Sequence, residues 1–345
     1  MKEVTVILFL LLFAGTGIYL LPSSKDPITS KDPNAATDEK ACLANINIDN
    51  PAQSWIDGGT FIMGDSDYYP EEGPQIEVDV NGFWIDQHEV SNAQFAAFVD
   101  ETGYITVAEQ KPDDALHSDI EEQLLVPGSV VFVMPTDLQN GGDITQWWQF
   151  IPGANWREPF GPGSDINGKQ QHPVIHIAYD DALAYAKWKG RELPTEKQWE
   201  YAARGKQERQ PNSLNTDLNP NGNWQANVWQ GTFPLFNTQA DDYIGTSPVG
   251  CYQPNQYGLY DTTGNVWEWV SDWYYPSHDE AEIASSPYSS GFDPRQPGVP
   301  VRVIKGGSYL CAENYCIRYR PAARQPQDST LSAAHIGFRT VSNRE

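Results

Sequence analysis

The sequence predicts a loop-rich α+β domain with little regular secondary structure. Three observations lead there. Aromatic residues are abundant, with 12 Trp, 17 Tyr and 13 Phe, so a core can form without long apolar runs. Glycine and proline, at 28 and 26 residues, break the chain into turns. Helix signals are few, and all fall before residue 206.

The elements follow in order. Gly58–Gly64 (GGTFIMG) reads as a short apolar strand between glycines, and Asn81–Asp86 (NGFWID) as a turn followed by a strand. Ser91 caps a helix with Phe95, Phe98 and Val99 on one face, ended by Gly103. Residues 104–150 show little periodicity and are expected to form a long excursion with short elements. A second helix is predicted over Asp180–Lys189, stopped by Gly190, with Leu183, Ala184 and Trp188 on one face. The third carries the clearest start: Thr195 and Gln198 form a capping box, Trp199 and Tyr201 follow, and Gly205 closes it. From Lys206 onward Gly, Asn, Pro and aromatic residues dominate, so helices should be rare and loops should need other restraints, bound ions among them. No repeat of 20–50 residues is visible in the sequence, which argues against a solenoid or propeller.

The 345 residues divide into three parts. Residues 1–21 contain an apolar run, Val4–Leu21, behind Lys2, which reads as an export signal or a membrane anchor. Residues 22–41 are polar and rich in Pro, Ser and Asp, as a linker would be. Residues 42–345 form the folded domain. The expected location is exported (periplasmic, secreted or lumenal). The net charge of −24, from 46 acidic and 22 basic residues, argues against nucleic acid, whose phosphates need clustered Lys and Arg.

Two of the four cysteines, Cys311 and Cys316, stand five residues apart. In an extended strand such residues point to opposite faces roughly 17 Å apart. A shared metal or a disulfide therefore requires Ala312–Tyr315 to fold back as a turn, which Asn314 suits. Spacing leaves three readings open: a disulfide, zinc, or Cu(I), a soft ion that accepts two thiolates. Zinc is the weakest, since no second ligand pair is evident. Cys42 and Cys251 are candidates to pair with each other, which the sequence leaves undecided. His172 and His176 (HPVIH) sit in a strand or turn where their side chains do not converge, and read as ordinary hydrogen-bonded histidines.

Several ordered words narrow these readings. Gly58–Gly64, Gly153–Arg157 (GANWR), Leu193–Ala203 (LPTEKQWEYAA), Tyr257–Trp269 (YGLYDTTGNVWEW), Arg302–Arg324 with its C-x4-C pair, and Gly337–Arg339 (GFR) together resemble the formylglycine-generating enzyme, or sulfatase-modifying factor, family over about residues 50–343. The resemblance implies that family's fold, distantly like C-type lectins. It implies oxidation of a cysteine in an unfolded or nascent sulfatase, in a Cys-x-Pro-x-Arg-like motif, to formylglycine. O2 would be the oxidant and Cu(I) would be held by Cys311 and Cys316, with the substrate thiolate as third ligand. By the same resemblance Ser308 and Tyr315 line the catalytic pocket and Trp156 packs against substrate; the residue type alone equally allows Trp156 to be a core aromatic. Arg339 is placed either at the substrate or in a structural ion pair. Two structural calcium ions are implied: one at Asp261, Gly264, Val266 and Glu268, the other at Asn227, Val228, Asp241 and Tyr243. Such mixed carboxylate and carbonyl sets suit a hard cation.

The chain departs from the family in places. Ala186 with Thr340, and Ala203 with Pro321, stand where some relatives carry two disulfides. Ala312 and Asn314 replace the His and Ser common between the two cysteines. Segment 104–140 matches poorly, so target preference is open. Rival readings are a silent scaffold member of the fold with a structural Cys311–Cys316 disulfide, an iron-dependent sulfoxide synthase, and a simple exported protein. Silent members generally lack the cysteine pair, and the iron enzymes need a His-rich domain that six scattered histidines do not supply.

Overall fold

The computed structural model describes residues 52–112, 125–138, 142–206, 218–279, 283, 284, 286 and 288–343, together with Cys42. The apolar run and the linker at 1–41 lie outside the described residues.

Among the described residues, three full helices and thirteen short strands are threaded by long loops. A three-stranded sheet has the order β1 (Gln53–Ile56), β4 (Phe83–Asp86), β13 (Val341–Ser342). A four-stranded sheet has the order β11 (Arg324–Asp328), β10 (Val301–Lys305), β9 (Trp267–Trp273), β12 (Ile336–Gly337), with only β12 parallel to its neighbour. Three antiparallel pairs complete the set: β2 (Gly59–Met63) with β3 (Ile76–Val80), β5 (Gly128–Phe132) with β6 (Trp148–Pro152), and β7 (Gly231–Thr232) with β8 (Phe236–Asn237).

Helix α1 spans Asn92–Thr102. Ser91 and Gln94 form its capping box, Gly103 ends it in the left-handed conformation, and Phe95, Phe98 and Val99 are buried as the sequence predicts. Helix α2, Tyr179–Trp188, differs from expectation in its buried face. Ala182, Tyr185 and Ala186 turn inward, while Leu183 and Ala184 are half-buried. The small alanines let α2 approach Phe95, Phe98 and Phe338, against which Tyr185 packs. Helix α3, Glu196–Ala203, starts at the Thr195–Gln198 capping box. Among its described residues, the excursion at 104–150 contains two 3-10 turns and most of the β5–β6 pair.

Trp156 and Arg339, each given both a substrate and a structural reading, sit in the core. Trp156 is 2 % exposed and meets Phe95 edge-on, with centroids 5.2 Å apart, so its indole serves packing. Arg339 is fully buried and forms a two-pronged pair with Glu268, at 2.7 Å on each prong. Its remaining donors reach the carbonyls of Asp86, Gln87 and Tyr260. Of its two anticipated roles, the structural ion pair is the one realised, tying β9 to the end of β4.

Cys42 and Cys251 form a disulfide. The histidines of HPVIH do not converge: His172 Nδ1 meets Thr246 Oγ1 at 3.0 Å and His176 Nδ1 meets Ser129 Oγ at 2.7 Å. Burial pushes His172, His176 and His335 down to about 3 from the ordinary 6.5.

Two outcomes follow for stability. Arg339→Met leaves Glu268 buried without its cation and should cost about 3–5 kcal/mol in urea unfolding; a loss below 1 kcal/mol would contradict the structural role. The three histidines are neutral when folded, so the unfolded chain protonates first as pH falls. Their contribution is complete above about 6.5 and drains away toward 3, at up to about 1.4 kcal/mol per pH unit for each. His335→Phe should therefore gain on wild type as pH drops from 7 to 4.5; a pH-independent difference would contradict this.

Candidate active site

The cysteine loop is the connection between adjacent strands β10 and β11, residues 306–323. Its base is pinned by α3. The Lys305 ammonium is fully buried and meets Glu200 Oε2 at 3.0 Å and Glu196 Oε1 at 3.5 Å. Arg324, at the other end, donates to both oxygens of Glu196 at 2.7 and 2.9 Å. Burial alone would raise these carboxyls, but the facing cations win and hold both below the usual carboxylate range.

The chain leaves β10 through Gly306 and Gly307, both at positive φ. A Cβ on Gly307 would come within 2.9 Å of the Tyr319 Cα, so this crossing needs glycine. The Cys311 amide then donates to Ser308 O at 2.9 Å. After Cys311 the backbone folds back, with the amides of Tyr315 and Cys316 both donating to Ala312 O, at 3.0 and 2.7 Å. This is the turn that the C-x4-C spacing demanded.

The two sulfurs end 3.2 Å apart, both as free cysteines. Cys311 is 2 % and Cys316 9 % exposed, so any approach comes from the Cys316 side. The pair is asymmetric. Burial raises the Cys311 thiol, whereas the hydrogen bond from Cys311 and the neighbouring Arg318 lower that of Cys316. Two soft donors at this separation, both able to turn to one centre, fit a soft monovalent ion of low coordination number.

Of the other predicted pocket residues, Ser308 is fully buried and its hydroxyl accepts from the Leu310 amide at 3.3 Å. Tyr315 is 49 % exposed and stacks on Phe233, with centroids 4.2 Å apart. Sequence reasoning missed the residues beneath. Trp229 donates its amide to Cys311 O at 3.0 Å, and Trp147, Trp229 and Phe233 pack with Tyr309, Leu310 and Ala312 in one apolar cluster. The only available signal was that residues 224–236 are aromatic-rich; no spacing linked them to a loop some 80 residues away. Val133, Ile144 and Phe236 are exposed, and each is hydrogen-bonded through its backbone to Trp147 or Trp229 of this cluster.

Among the described residues no group of three or more His, Cys, Asp or Glu side chains is arranged to hold a metal. A calcium ion here would thus depend on carbonyls. The two predicted sets adjoin: Asn227 and Gly264 form a bridge, and the Asn265 amide donates to Asn227 O at 2.8 Å. Asp261 and Glu89 bring two buried carboxyls together, and burial raises both. Glu268 Oε2 is saturated by Arg339 and Trp199, but Oε1 accepts only one hydrogen bond and keeps a lone pair. In the other set Asp241, raised to about 6 by burial, accepts from the Tyr243 amide at 3.1 Å, and the Val228 carbonyl is occupied by the Gln230 amide. The acidic excess around Asp261 fits a cation better than the second set does.

Comparison with known proteins agrees with this geometry. The family model described as sulfatase-modifying factor enzyme 1-like domain matches residues 40–344. The formylglycine-generating enzyme of Mycobacterium tuberculosis is 46 % identical over 296 residues, covering 84 % of this chain and 96 % of that protein. That of Mus musculus is 41 % identical over 294 residues, covering 84 % and 74 %. The inactive Cα-formylglycine-generating enzyme 2 of Mus musculus is 36 % identical over 301 residues, covering 85 % and 86 %. PvdO from Pseudomonas aeruginosa shares the fold, with a TM-score of 0.53 at 20 % identity over 85 % of this chain and 95 % of that one. The paired-cysteine loop, the mixed loop-rich fold and the match over residues 40–344 together make this chain a member of the sulfatase-modifying factor, or formylglycine-generating enzyme, family.

Proposed function

We propose that this chain oxidises a cysteine of a target sulfatase to formylglycine, using O2 and a Cu(I) ion held by Cys311 and Cys316. The observation that carries the reading is the free thiol pair 3.2 Å apart at the outer edge of the core. A simple structural disulfide would leave no thiols here, and a silent scaffold gains nothing from two buried thiols in contact. When bound, the copper supplies affinity for the substrate thiolate and a one-electron route to O2.

The chain's own residues do the rest. Trp229 and the Ala312 turn hold the sulfurs in place. The Tyr315–Phe233 stack and the exposed Val133, Ile144 and Phe236 offer an apolar face on which an extended peptide can lie. Burial keeps bulk water from the sulfurs. Overall the substrate C–S bond gives way to C=O and sulfur leaves as sulfide. The carbon loses two electrons, and the full reduction of O2 takes two more from two molecules of a small thiol, which leave as a disulfide; one oxygen atom ends in the aldehyde and the other in water. The Cys42–Cys251 disulfide supports export to an oxidising compartment, with residues 4–21 as signal or anchor. Calcium at Asp261, Gly264, Val266 and Glu268 would neutralise the buried acidic excess.

The copper-loaded protein, given a peptide with Cys-x-Pro-x-Arg, a reducing thiol and O2, should convert the cysteine to an aldehyde detectable by mass. Cys311→Ser and Cys316→Ser should each lower the rate by at least about a hundredfold. Equal rates for wild type and either variant would overturn the reading. Calcium removal should lower the melting temperature, by several degrees if about 1–2 kcal/mol is lost; an unchanged melt with no calcium by metal analysis would exclude that role.

A further inference from the structure

The cysteine turn is held at its first cysteine by two arms, and both start from Asn265. On one arm the Tyr309 amide, two residues before Cys311, donates to Asn265 O at 2.9 Å. On the other the Trp229 amide donates to Cys311 O at 3.0 Å. Asn227, two residues before Trp229, accepts the Asn265 amide on its carbonyl at 2.8 Å and donates its own side-chain amide to Asn265 Oδ1 at 3.2 Å. Gly264 reinforces the joint by donating to Gly306 O at 2.9 Å. Cys316 is held differently, by its own amide on the Ala312 carbonyl inside the turn.

Asn265 is fully buried and sits at φ 55°, in the left-handed region that asparagine adopts more readily than most residues. Its Oδ1 also accepts from the Ser247 amide at 3.0 Å, and its Nδ2 donates to Glu89 Oε1 at 3.1 Å and to Ser247 O at 3.4 Å. This surrounding needs an acceptor on one side and donors on the other, which a side-chain amide supplies.

Resting on the copper reading, we propose that Asn265 is a positioning residue for the thiol pair: it fixes Cys311 from behind, so that the Cys316 arm adjusts to the ion. Groups behind a metal's ligands set the direction and spacing of those ligands. Cys311 is the more buried of the two cysteines, so a fixed place for it leaves the approach from the Cys316 side open. A pair with one arm already ordered has less conformational freedom to lose on binding.

The test is a competition titration of the full chain with a chromogenic Cu(I) chelator, in excess calcium, alongside thermal melts. Asn265→Gly keeps the positive φ but removes the side chain, and should weaken Cu(I) binding at least about tenfold. Asn265→Asp turns a carboxylate oxygen toward Glu89 and should lose as much; adding Glu89→Gln reverses donor and acceptor and should recover most of it. Val80→Ala, in a separate apolar cluster with Ile56 and Phe83, should melt lower yet bind Cu(I) like wild type. Should Asn265→Gly fail to fold, Asn265→Asp with and without Glu89→Gln carries the comparison. In metal-free Cys316→Ser protein, Asn265→Gly should also speed labelling of Cys311 by a thiol reagent several-fold. Asn265 variants that bind Cu(I) like wild type, or a double variant no better than Asn265→Asp, would overturn the assignment and leave the copper reading intact. A wild type that binds no Cu(I) while the labelling still rises would overturn the copper reading alone; no binding and no change in labelling would overturn both.

Discussion

Everything about the candidate site depends on the ionic clamp between α3 and the two strands that flank the cysteine loop. Glu196 and Glu200 stand one helical turn apart and face inward, where they meet Lys305 at the end of β10 and Arg324 at the start of β11. Four buried charges are expensive to desolvate, so each is committed to its partners. The result is a loop whose two ends cannot separate. The capping box at Thr195 and Gln198 matters for this reason: it sets where α3 begins, and hence where both carboxylates point.

Within that fixed frame the loop folds by local rules. Gly307 permits the close crossing beneath Tyr319, and the amides of Tyr315 and Cys316 converge on the Ala312 carbonyl. Trp229 holds the Cys311 carbonyl from the other side. These bonds place two sulfurs in contact without needing a covalent link between them. Under the proposed function, the same pair that would be inert in a packed core would serve as a soft-metal chelate, because it adjoins the aromatic cluster and the exposed Tyr315.

Local features of the fold were legible in the sequence, and tertiary ones were less so. The caps at Ser91, Gly103 and Thr195 are chemical signals carried by neighbours, and the helices begin and end accordingly. The buried face of α2 was misread because Leu183 and Trp188 outrank alanine in hydrophobicity, whereas close packing against Phe338 selects Ala182 and Ala186. Trp156 and Arg339 matched pocket words, yet their positions are governed by distant partners, Phe95 and Glu268. The cysteine turn was legible because five-residue spacing admits only one way to bring sulfurs together. Its supports, Trp229 and Phe233, were not, since nothing in local pattern reports contacts across some 80 residues.

The central claim is that Cys311 and Cys316 act together as the ligands of one copper ion. X-ray absorption of the protein loaded with a single equivalent of Cu(I) addresses it most directly. The account predicts two sulfur ligands on the copper in wild type and the loss of that signature in Cys316→Ser. A copper bound through nitrogen or oxygen alone, or a spectrum unchanged by the substitution, would contradict it.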